Sequence, residues 1–154
     1  MLSDGDAICG VWFYGQKHFL SSIAGEIIEK DDLPLFEKAR QWFDDYFNGL
    51  NPQIDFMLKP SGSEFRLKVW EILCEIPYGE TITYGEIASR LSASMSSQAV
   101  GGAVGHNPIA IMIPCHRVVG ANGKLTGYAG GIDKKIALLE LERNQDNIQQ
   151  LNCD

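Results

Sequence analysis

The sequence predicts an α/β (α+β) fold in two parts: a small N-terminal lobe of sheet and helix at residues 1–60, and a mostly helical C-terminal domain at residues 61–154. One strand-like run and one amphipathic helix pattern precede a connector that contains two prolines. Beyond the connector, the apolar residues recur mainly at helical spacing. The chain is long enough for a small lobe packed on a larger domain, and its 45% apolar content is ordinary for a protein with a buried core.

The N-terminal lobe is expected to contain a strand and a helix. Residues 8–13 predict the strand, and a turn at residues 15–17 follows it. Residues 34–47 predict a helix that ends at Asn48-Gly49. The connector at residues 50–60 marks the boundary of the lobe. The apolar face of the helix is expected to consist of Phe36, Ala39, Phe43 and Phe47.

The C-terminal domain is predicted to begin and end with a helix. Ser63 can cap the first of them, which Pro77 and Gly79 terminate. Asp133 is expected to cap the last one, which runs to about Arg143 and is followed by a polar, frayed tail.

Two short helices between these ends predict a helix-turn-helix. The pair Thr83-x-x-Glu86 is a capping box for a helix that reaches about Leu91. A serine at 96 or 97 can cap the second helix, which ends at about residue 104. Two capped helices joined by a tight polar turn are typical of this motif.

The tetrapeptide Pro114-Cys115-His116-Arg117 is the strongest chemical signal in the chain. It follows an apolar run at residues 109–113, which predicts a buried strand that holds the thiol in a fixed place. Cysteine is a nucleophile only as the thiolate, and its free pKa of about 8.5 is lowered beside a base or a cation. A neighbouring histidine can take the proton. The alternative is a buried structural cysteine beside a histidine that serves the core.

Composition restricts the possible functions. The four cysteines form no CxxC pair, which favours free thiols over a disulfide framework or a zinc site. No apolar run approaches the roughly 20 residues of a membrane span. The net charge of −7 opposes binding to a polyanion, but residues 83–139 carry five basic and two acidic side chains, a net +3 that leaves −10 elsewhere. Binding of a polyanion through that segment would involve few phosphate contacts.

The residues around the tetrapeptide resemble the O6-alkylguanine-DNA alkyltransferases, also called methylated-DNA–protein-cysteine methyltransferases. The resemblance is strongest over residues 61–143 and weaker in the N-terminal lobe. It is carried by the segments Ile76-Pro77-Tyr78-Gly79, Thr83-Tyr84-Gly85-Glu86, Ala99-Val100-Gly101-Gly102, His106-Asn107-Pro108, Pro114-Cys115-His116-Arg117 and Gly127-Tyr128-Ala129-Gly130-Gly131. It implies DNA repair by irreversible, one-turnover transfer of an alkyl group from O6-alkylguanine to a cysteine. The base must be flipped out of the duplex, and the helix-turn-helix would enter the minor groove.

The resemblance assigns catalytic roles to five residues. Cys115 would accept the alkyl group, and His116 would act as its base through a water molecule. Glu142 would orient the histidine, although the sequence alone also allows a solvated helix position. Asn107 would tie the helix-turn-helix to the segment that carries Cys115, or serve as a helix C-cap, or do both. Tyr84 would help to rotate the nucleotide and donate to the base.

The resemblance also implies a DNA-binding surface. This surface would comprise Tyr84, Gln98, Ala99, Gly101, Gly102 and Arg117. Glycines inside a helix cost about 1 kcal/mol each relative to alanine. They are explained either by close helix–helix packing or by a flat face that lets the DNA backbone approach. Arg117 is also interpreted as an anchor of local structure.

A base pocket is implied at the glycine-rich segment. It would be formed by Tyr128, Ala129 and Gly130, with Lys135 near O6 of the base. A plain surface or helix-dipole role for Lys135 remains the alternative. No metal and no cofactor are expected.

The N-terminal lobe departs from the family pattern. Residues 7–19 resemble the second strand of a family hairpin whose first strand is expected to be missing, which would leave an unpaired edge. The expected partner is double-stranded DNA carrying O6-alkylguanine, with O4-alkylthymine as a further candidate. We expect a monomer without a membrane partner, located in the cytoplasm with the nucleoid, or in the nucleus of a eukaryote.

Two other functions compete with this interpretation. Alkyltransferase-like proteins recognise alkylated bases without repairing them, but they lack the acceptor cysteine, which is present here as Cys115. A Cys-His hydrolase would need an oxyanion-hole context, and the sequence contains no motif of that kind.

Gln98 stands where the family usually has an arginine that replaces the flipped nucleotide, and this difference is testable. Arginine brings a planar cation that stacks and attracts phosphates, whereas glutamine has no charge. Gln98→Arg should raise duplex affinity and speed methyl transfer about tenfold, which corresponds to about 1.4 kcal/mol. Gln98→Ala should slow transfer from duplex but scarcely alter the reaction with free O6-benzylguanine, measured by rapid-quench kinetics. An equal loss with the free base would mean that Gln98 supports the helix instead.

Overall fold

The N-terminal lobe contains a short hairpin and one helix. The computed structural model describes residues 1–21 and 23–151, and side chains as far as Asn144. Strand β1 (Leu2–Ser3) pairs antiparallel with β2 (Ile8–Gly10). The prediction of a missing first strand is therefore wrong, because β1 occupies that edge. Ile8 also forms a parallel bridge with Leu58 of the connector, so neither side of β2 is left open at this residue.

Helix α1 (Pro34–Phe47) has the predicted bounds but a rotated buried face. Its buried residues are Ala39, Trp42 and Tyr46, whereas Phe47 is 54% exposed. The buried positions follow the i, i+3, i+7 spacing of one helical stripe. Gly49, at φ 81°, reverses the chain after the helix as expected.

Four helices make up most of the C-terminal part: α2 (Glu64–Cys74), α3 (Tyr84–Leu91), α4 (Ser97–Gly105) and α5 (Ile132–Leu151). Ser63 Oγ caps α2 by accepting from Arg66 N at 3.3 Å. The capping box at α3 is complete, since Glu86 N donates to Thr83 Oγ1 and Thr83 N donates to Glu86 Oε2. Ser96 caps α4. Helices α3 and α4 form the predicted helix-turn-helix, and α4 also packs on α2.

Two predictions for the last helix were wrong. Asp133 is not its N-cap, because α5 already begins at Ile132 and Lys135 N donates to Gly131 O. The helix also continues beyond Asn144 as far as Leu151, where a frayed tail was expected. Cys153 lies outside the described residues.

The apolar run at residues 109–113 is a buried turn, not the predicted strand. Ile111 adopts a left-handed conformation with φ 70°, and Met112 N donates to Ala110 O at 2.8 Å. Isolated bridges join Ala110 to Ile113 and Val11 to Ile109. A short apolar run cannot by itself distinguish a buried strand from other buried backbone.

A second small sheet brings the helix-turn-helix next to the Pro-Cys-His-Arg segment. Strand β3 (Ile82–Thr83) pairs in parallel with β4 (Val118–Val119). Because β3 leads directly into α3 and β4 directly follows Arg117, the pairing fixes the start of α3 beside the reactive segment. Within the described residues, no helix combines the length and the apolar content that crossing a membrane would require.

Candidate active site

Cys115 lies at a pocket that both parts of the chain line. The residue is 5% exposed and opens a 3₁₀ turn, Cys115–Arg117, in which Arg117 N donates to Pro114 O at 3.0 Å. The pocket has a volume of about 340 Å³. Its walls include Lys17 and His18 of the N-terminal lobe, Tyr84 and Gly101 of the helix-turn-helix, and Tyr128 and Ala129 of the glycine-rich segment.

The surroundings of Cys115 keep its thiol protonated at neutral pH. Burial raises the pKa of the thiol, while the side chains of Asn107 and Tyr128 and the charge of Lys135 act in the opposite direction. The Tyr128 hydroxyl faces the sulfur, although it makes no hydrogen bond of ordinary geometry with any described residue. Burial, followed by the proximity of Cys115, raises the pKa of Tyr128, so this hydroxyl remains a neutral donor.

His116 is held by a buried carboxylate. Its Nε2 lies 2.7 Å from Glu142 Oε1, and both side chains are fully buried. Because a carboxylate only accepts hydrogen bonds, Nε2 carries the proton and donates it. Nδ1 is then the unprotonated ring nitrogen, and it has no hydrogen-bond partner among the described residues. His116, the residue after Cys115, therefore has a lone pair on Nδ1 that can accept a proton.

Glu142 accepts hydrogen bonds from several parts of the chain. Tyr46 Oη donates to its Oε1 at 2.7 Å, and Gly79 N donates to its Oε2 at 3.3 Å. Arg117 adds two further bonds, from Nε at 2.9 Å and from Nη2 at 3.0 Å. The carboxylate is thus compensated as a buried charge must be. The solvated helix position that the sequence allowed for Glu142 is excluded.

These contacts define the protonation states of the pair. Burial raises the pKa of Glu142, but the hydrogen bonds and charges of His116 and Arg117 outweigh it and lower this pKa to about 2. Burial lowers the pKa of His116, which Glu142 only partly offsets. At neutral pH the pair is therefore a carboxylate and a neutral imidazole, the form of histidine that can accept a proton.

Asn107 ties the end of the helix-turn-helix to the turn before Cys115. Its Nδ2 donates to Ile113 O at 2.8 Å, and its Oδ1 accepts from Ile109 N at 3.0 Å. The C-cap of α4 is His106, so the C-cap interpretation of Asn107 is off by one residue. The side chain instead supplies partners that the left-handed turn at Ile111 cannot provide from its own backbone.

Helix α4 presents a surface of small side chains beside the pocket. Gln98, Ala99 and Gly102 are exposed. A Cβ added at Gly102 would meet nothing within 4 Å, and one at Gly101 would make ordinary contact at 3.8 Å with the Tyr84 ring. Close helix–helix packing therefore does not explain these glycines, and they leave open space on this face of α4.

Two predicted site residues serve the protein interior. Arg117 bonds Ile76 O at 2.7 Å in addition to Glu142, and its guanidinium lies over the Tyr78 ring, so the anchoring role is favoured over the DNA contact. Lys135 is fully buried, which excludes the surface role. Its Nζ donates to the backbone oxygens of Val118 and Thr126, and burial lowers its pKa.

The glycine-rich segment and Tyr84 complete the pocket. A Cβ at Gly130 would lie 2.6 Å from the Phe13 ring, so the absence of a side chain here lets Phe13 of the N-terminal lobe pack closely. Ala129 O accepts from Lys17 N at 3.4 Å. The Tyr84 hydroxyl accepts from Thr126 Oγ1 at 3.4 Å, so its own proton is free for another acceptor. No group of three His, Cys, Asp or Glu residues within the described part of the chain could hold a metal ion.

Sequence reasoning missed three residues of this site, all from the N-terminal lobe. Tyr46 belongs to the polar network through Glu142, and Lys17 and His18 line the pocket. The helical stripe of Ala39, Trp42 and Tyr46 contained a signal for Tyr46, because a tyrosine on a buried face needs a partner for its hydroxyl. No sequence signal identifies Lys17 or His18.

The bond from Tyr46 to Glu142 should be measurable as stability. Tyr46→Phe removes one donor to a buried carboxylate, and such bonds contribute about 1.5 to 3 kcal/mol. Urea unfolding at pH 7 should show a loss of this size in the free energy of unfolding. Tyr14→Phe is the matched control, because Tyr14 is fully exposed. If the two variants are equally stable, the hydroxyl contributes nothing to the network.

Glu142 should make the protein sensitive to acid in a defined range. Its pKa falls to about 2 in the folded state from an ordinary value of about 4.3. Its contribution is therefore complete above about pH 5 and is lost as the pH falls toward 2. Glu142→Gln should cost about 3 to 5 kcal/mol at pH 7, and the difference from the unsubstituted protein should shrink below pH 5. Urea unfolding from pH 7 to pH 3 measures both. Glu140→Gln, an exposed change on the same helix, should show neither effect, and a constant difference at all pH values would contradict the assignment.

Comparison with known proteins places this site in a family. The family model for the DNA-binding domain of 6-O-methylguanine DNA methyltransferase matches residues 64–144. A methylated-DNA–protein-cysteine methyltransferase of Methanosarcina mazei is 47% identical over 137 residues, covering 84% of this chain and 85% of that protein. One of Haemophilus influenzae is 43% identical over 144 residues, covering 93% and 79%. The crystal structure of Mycobacterium tuberculosis OGT in complex with DNA has a TM-score of 0.82 at 43% identity, covering 93% of this chain and 84% of that one. The chain belongs to the methylated-DNA–protein-cysteine methyltransferase family.

Proposed function

We propose that this protein repairs DNA by transferring an alkyl group from O6-alkylguanine to Cys115, once per molecule. The observation that carries the proposal is the arrangement at the pocket. A buried thiol lines it, and the next residue is a neutral histidine whose Nε2 is fixed by Glu142 and whose Nδ1 is unpaired among the described residues. A nucleophile beside an oriented base is the general arrangement of covalent catalysis.

The proposed reaction is a displacement at the alkyl carbon. The thiol proton passes to His116 Nδ1 through a bridging water, and the sulfur forms a bond with the alkyl carbon. The bond from that carbon to guanine O6 breaks, and its electron pair stays on the guanine. The Tyr84 hydroxyl donates a proton to the guanine anion, and it is suited to this role because its proton is not used by Thr126. The tyrosinate then regains a proton from solvent, and the His116 imidazolium releases one to solvent. The product thioether has no base-assisted route back, which limits each molecule to one turnover.

The His116–Glu142 pair gives the thiol its base without a permanent charge. Burial alone would leave the thiol protonated, since burial raises its pKa. The neutral imidazole accepts the proton as the sulfur attacks, and the Glu142 carboxylate stabilises the imidazolium that forms. Asn107 keeps the preceding turn in place, so the sulfur stays aligned with the pocket.

The DNA is proposed to lie against α4 with the damaged nucleotide rotated into the pocket. A base inside a duplex cannot present its O6 to a thiol that is 5% exposed. The open space at Gly102 allows the DNA backbone to approach α4 closely. Gln98 and Ala99, exposed at the start of this helix, are proposed to face the space that the nucleotide leaves. We also propose that the protein acts as a monomer.

Mass spectrometry tests the proposal directly. After incubation with a duplex that contains one O6-methylguanine, the peptide with Cys115 should gain one methyl group, at a stoichiometry of one per protein. Cys115→Ala should abolish the transfer and retain DNA binding. Cys74→Ala is the control, because Cys74 is an exposed free cysteine and its loss should change nothing.

Three outcomes would contradict this function. Repeated turnover would exclude a stable thioether, and methylation at Cys74 would misplace the acceptor. Damage-specific binding without any methylation would favour the alternative of a recognition protein that does not repair.

A further inference from the structure

The mouth of the pocket holds a cluster of basic side chains from three separate parts of the chain. Lys17 and His18 come from the loop after β2, and His106 is the C-cap of α4. Arg66 on α2 lies close enough to His18 to influence it electrostatically. The chain as a whole carries a net charge of −7. A basic cluster at this one place therefore runs against the average charge of the protein.

Hydrogen bonds hold the loop that carries Lys17 and His18 in a defined position. Lys17 N donates to Ala129 O at 3.4 Å, and Gln16 Oε1 accepts from Phe13 N at 2.7 Å, which fixes the loop against the pocket wall. His18 has φ 62°, a left-handed conformation that is uncommon for a residue other than glycine. Such a conformation persists only where the surroundings impose it, and it is found preferentially at functional sites.

His18 and His106 are stacked on each other. Their ring centroids are 3.9 Å apart and their planes differ by 28°. His106 Nδ1 lies 2.7 Å from Gly102 O, and because a carbonyl only accepts, Nδ1 is the donor. This bond fixes the His106 ring at the C-terminal end of α4, and the stack holds the His18 ring beside it.

The four basic residues form no ion pair with any acidic residue that the structure describes. Among the ion pairs formed by described residues, none includes Lys17, His18, Arg66 or His106. Several basic residues elsewhere are paired, such as Lys68 with Glu64 at 2.8 Å on the same helix as Arg66. Unpaired basic groups that converge beside a pocket are suited to bind an anion.

We propose that Lys17, His18, Arg66 and His106 form a binding site for a backbone phosphate of the DNA strand, next to the nucleotide that enters the pocket. This proposal rests on the proposed function, because that function places DNA across the pocket mouth. It gives the N-terminal lobe a part in DNA binding. The number of phosphate contacts expected from the net charge of residues 83–139 is therefore too low, because Lys17, His18 and Arg66 lie outside that segment.

The site also predicts a dependence of DNA binding on pH. Partial desolvation, and then the charges of His106, Arg66 and Lys17, lower the pKa of His18 in the free protein. A phosphate in the cluster reverses this environment and favours the protonated imidazole. Binding then takes up a proton, so the affinity for DNA should rise as the pH falls from 8 to 6.

The slope of log affinity against log salt concentration tests the site. The probe is a duplex with one O6-methylguanine, and the variant is Lys17→Gln combined with Arg66→Gln. Each lost phosphate contact lowers the magnitude of the slope by about 0.9. Because both side chains are proposed to bind one phosphate, the double variant should show a slope reduced by about 0.9. Alkylation by free O6-benzylguanine is compared in Arg66→Gln alone, because Arg66 does not line the pocket, and it should stay within about twofold of the unsubstituted protein. Lys68→Gln is the matched control and should leave the slope unchanged.

A second measurement, the pH dependence of duplex affinity, tests the contribution of His18. The rise in duplex affinity from pH 8 to pH 6 should be smaller in His18→Gln than in the unsubstituted protein. An unchanged salt slope in the double variant, or an unchanged pH profile in His18→Gln, would overturn the phosphate site. A loss of alkylation by free O6-benzylguanine in Arg66→Gln would overturn it as well, because Arg66 would then shape the pocket instead. If neither the duplex nor free O6-benzylguanine alkylates Cys115 in the unsubstituted protein, the proposed function fails. The salt slope still tests whether the phosphate site exists.

Discussion

The carboxylate of Glu142 is the constraint on which the rest of the structure depends. A buried charge is tolerated only when most of its hydrogen-bonding capacity is used. Here the donors come from α1, from the loop after α2 and from the turn that begins at Cys115. If any one of these elements moved, the charge would lose a partner. The same group therefore joins the N-terminal lobe to the C-terminal part and fixes which nitrogen of His116 carries the proton.

The thiol of Cys115 is protonated in the free protein because it is buried. A thiolate is open to oxidation and to reaction with unintended electrophiles, whereas a buried, protonated thiol is inert. For a cysteine that is proposed to react only once, an unwanted reaction would end the usefulness of the molecule. The structure places a base beside Cys115 but leaves the resting thiol neutral, because burial raises its pKa. In the proposed function, the thiol would lose its proton only when a substrate fills the pocket.

The sequence predicted those features that depend on local contacts. The caps at Ser63, Thr83 and Ser96 place the starts of three helices correctly, because each bond spans three residues. Local contacts could not predict which face of α1 is buried, because buried Tyr46 bonds to Glu142, a residue 96 positions away in the sequence. The resemblance named Cys115, His116 and Glu142, and the structure brings these three together. The residues from the N-terminal lobe, Lys17 and His18, could not be assigned because their neighbours in space are distant in sequence.

The distribution of charge explains how an acidic protein can approach a polyanion. Net charge governs solubility and long-range repulsion, whereas a local cluster determines which face meets the ligand. Lys17 and His18, which form no ion pair with any described residue, line the pocket, and the glycines of α4 leave open space beside it. Acidic surfaces elsewhere repel the phosphates and disfavour other orientations. A small number of cations implies few phosphate contacts and a modest sequence-independent affinity for DNA. In the proposed function, discrimination is left to the pocket, which would hold an alkylated base against the sulfur of Cys115.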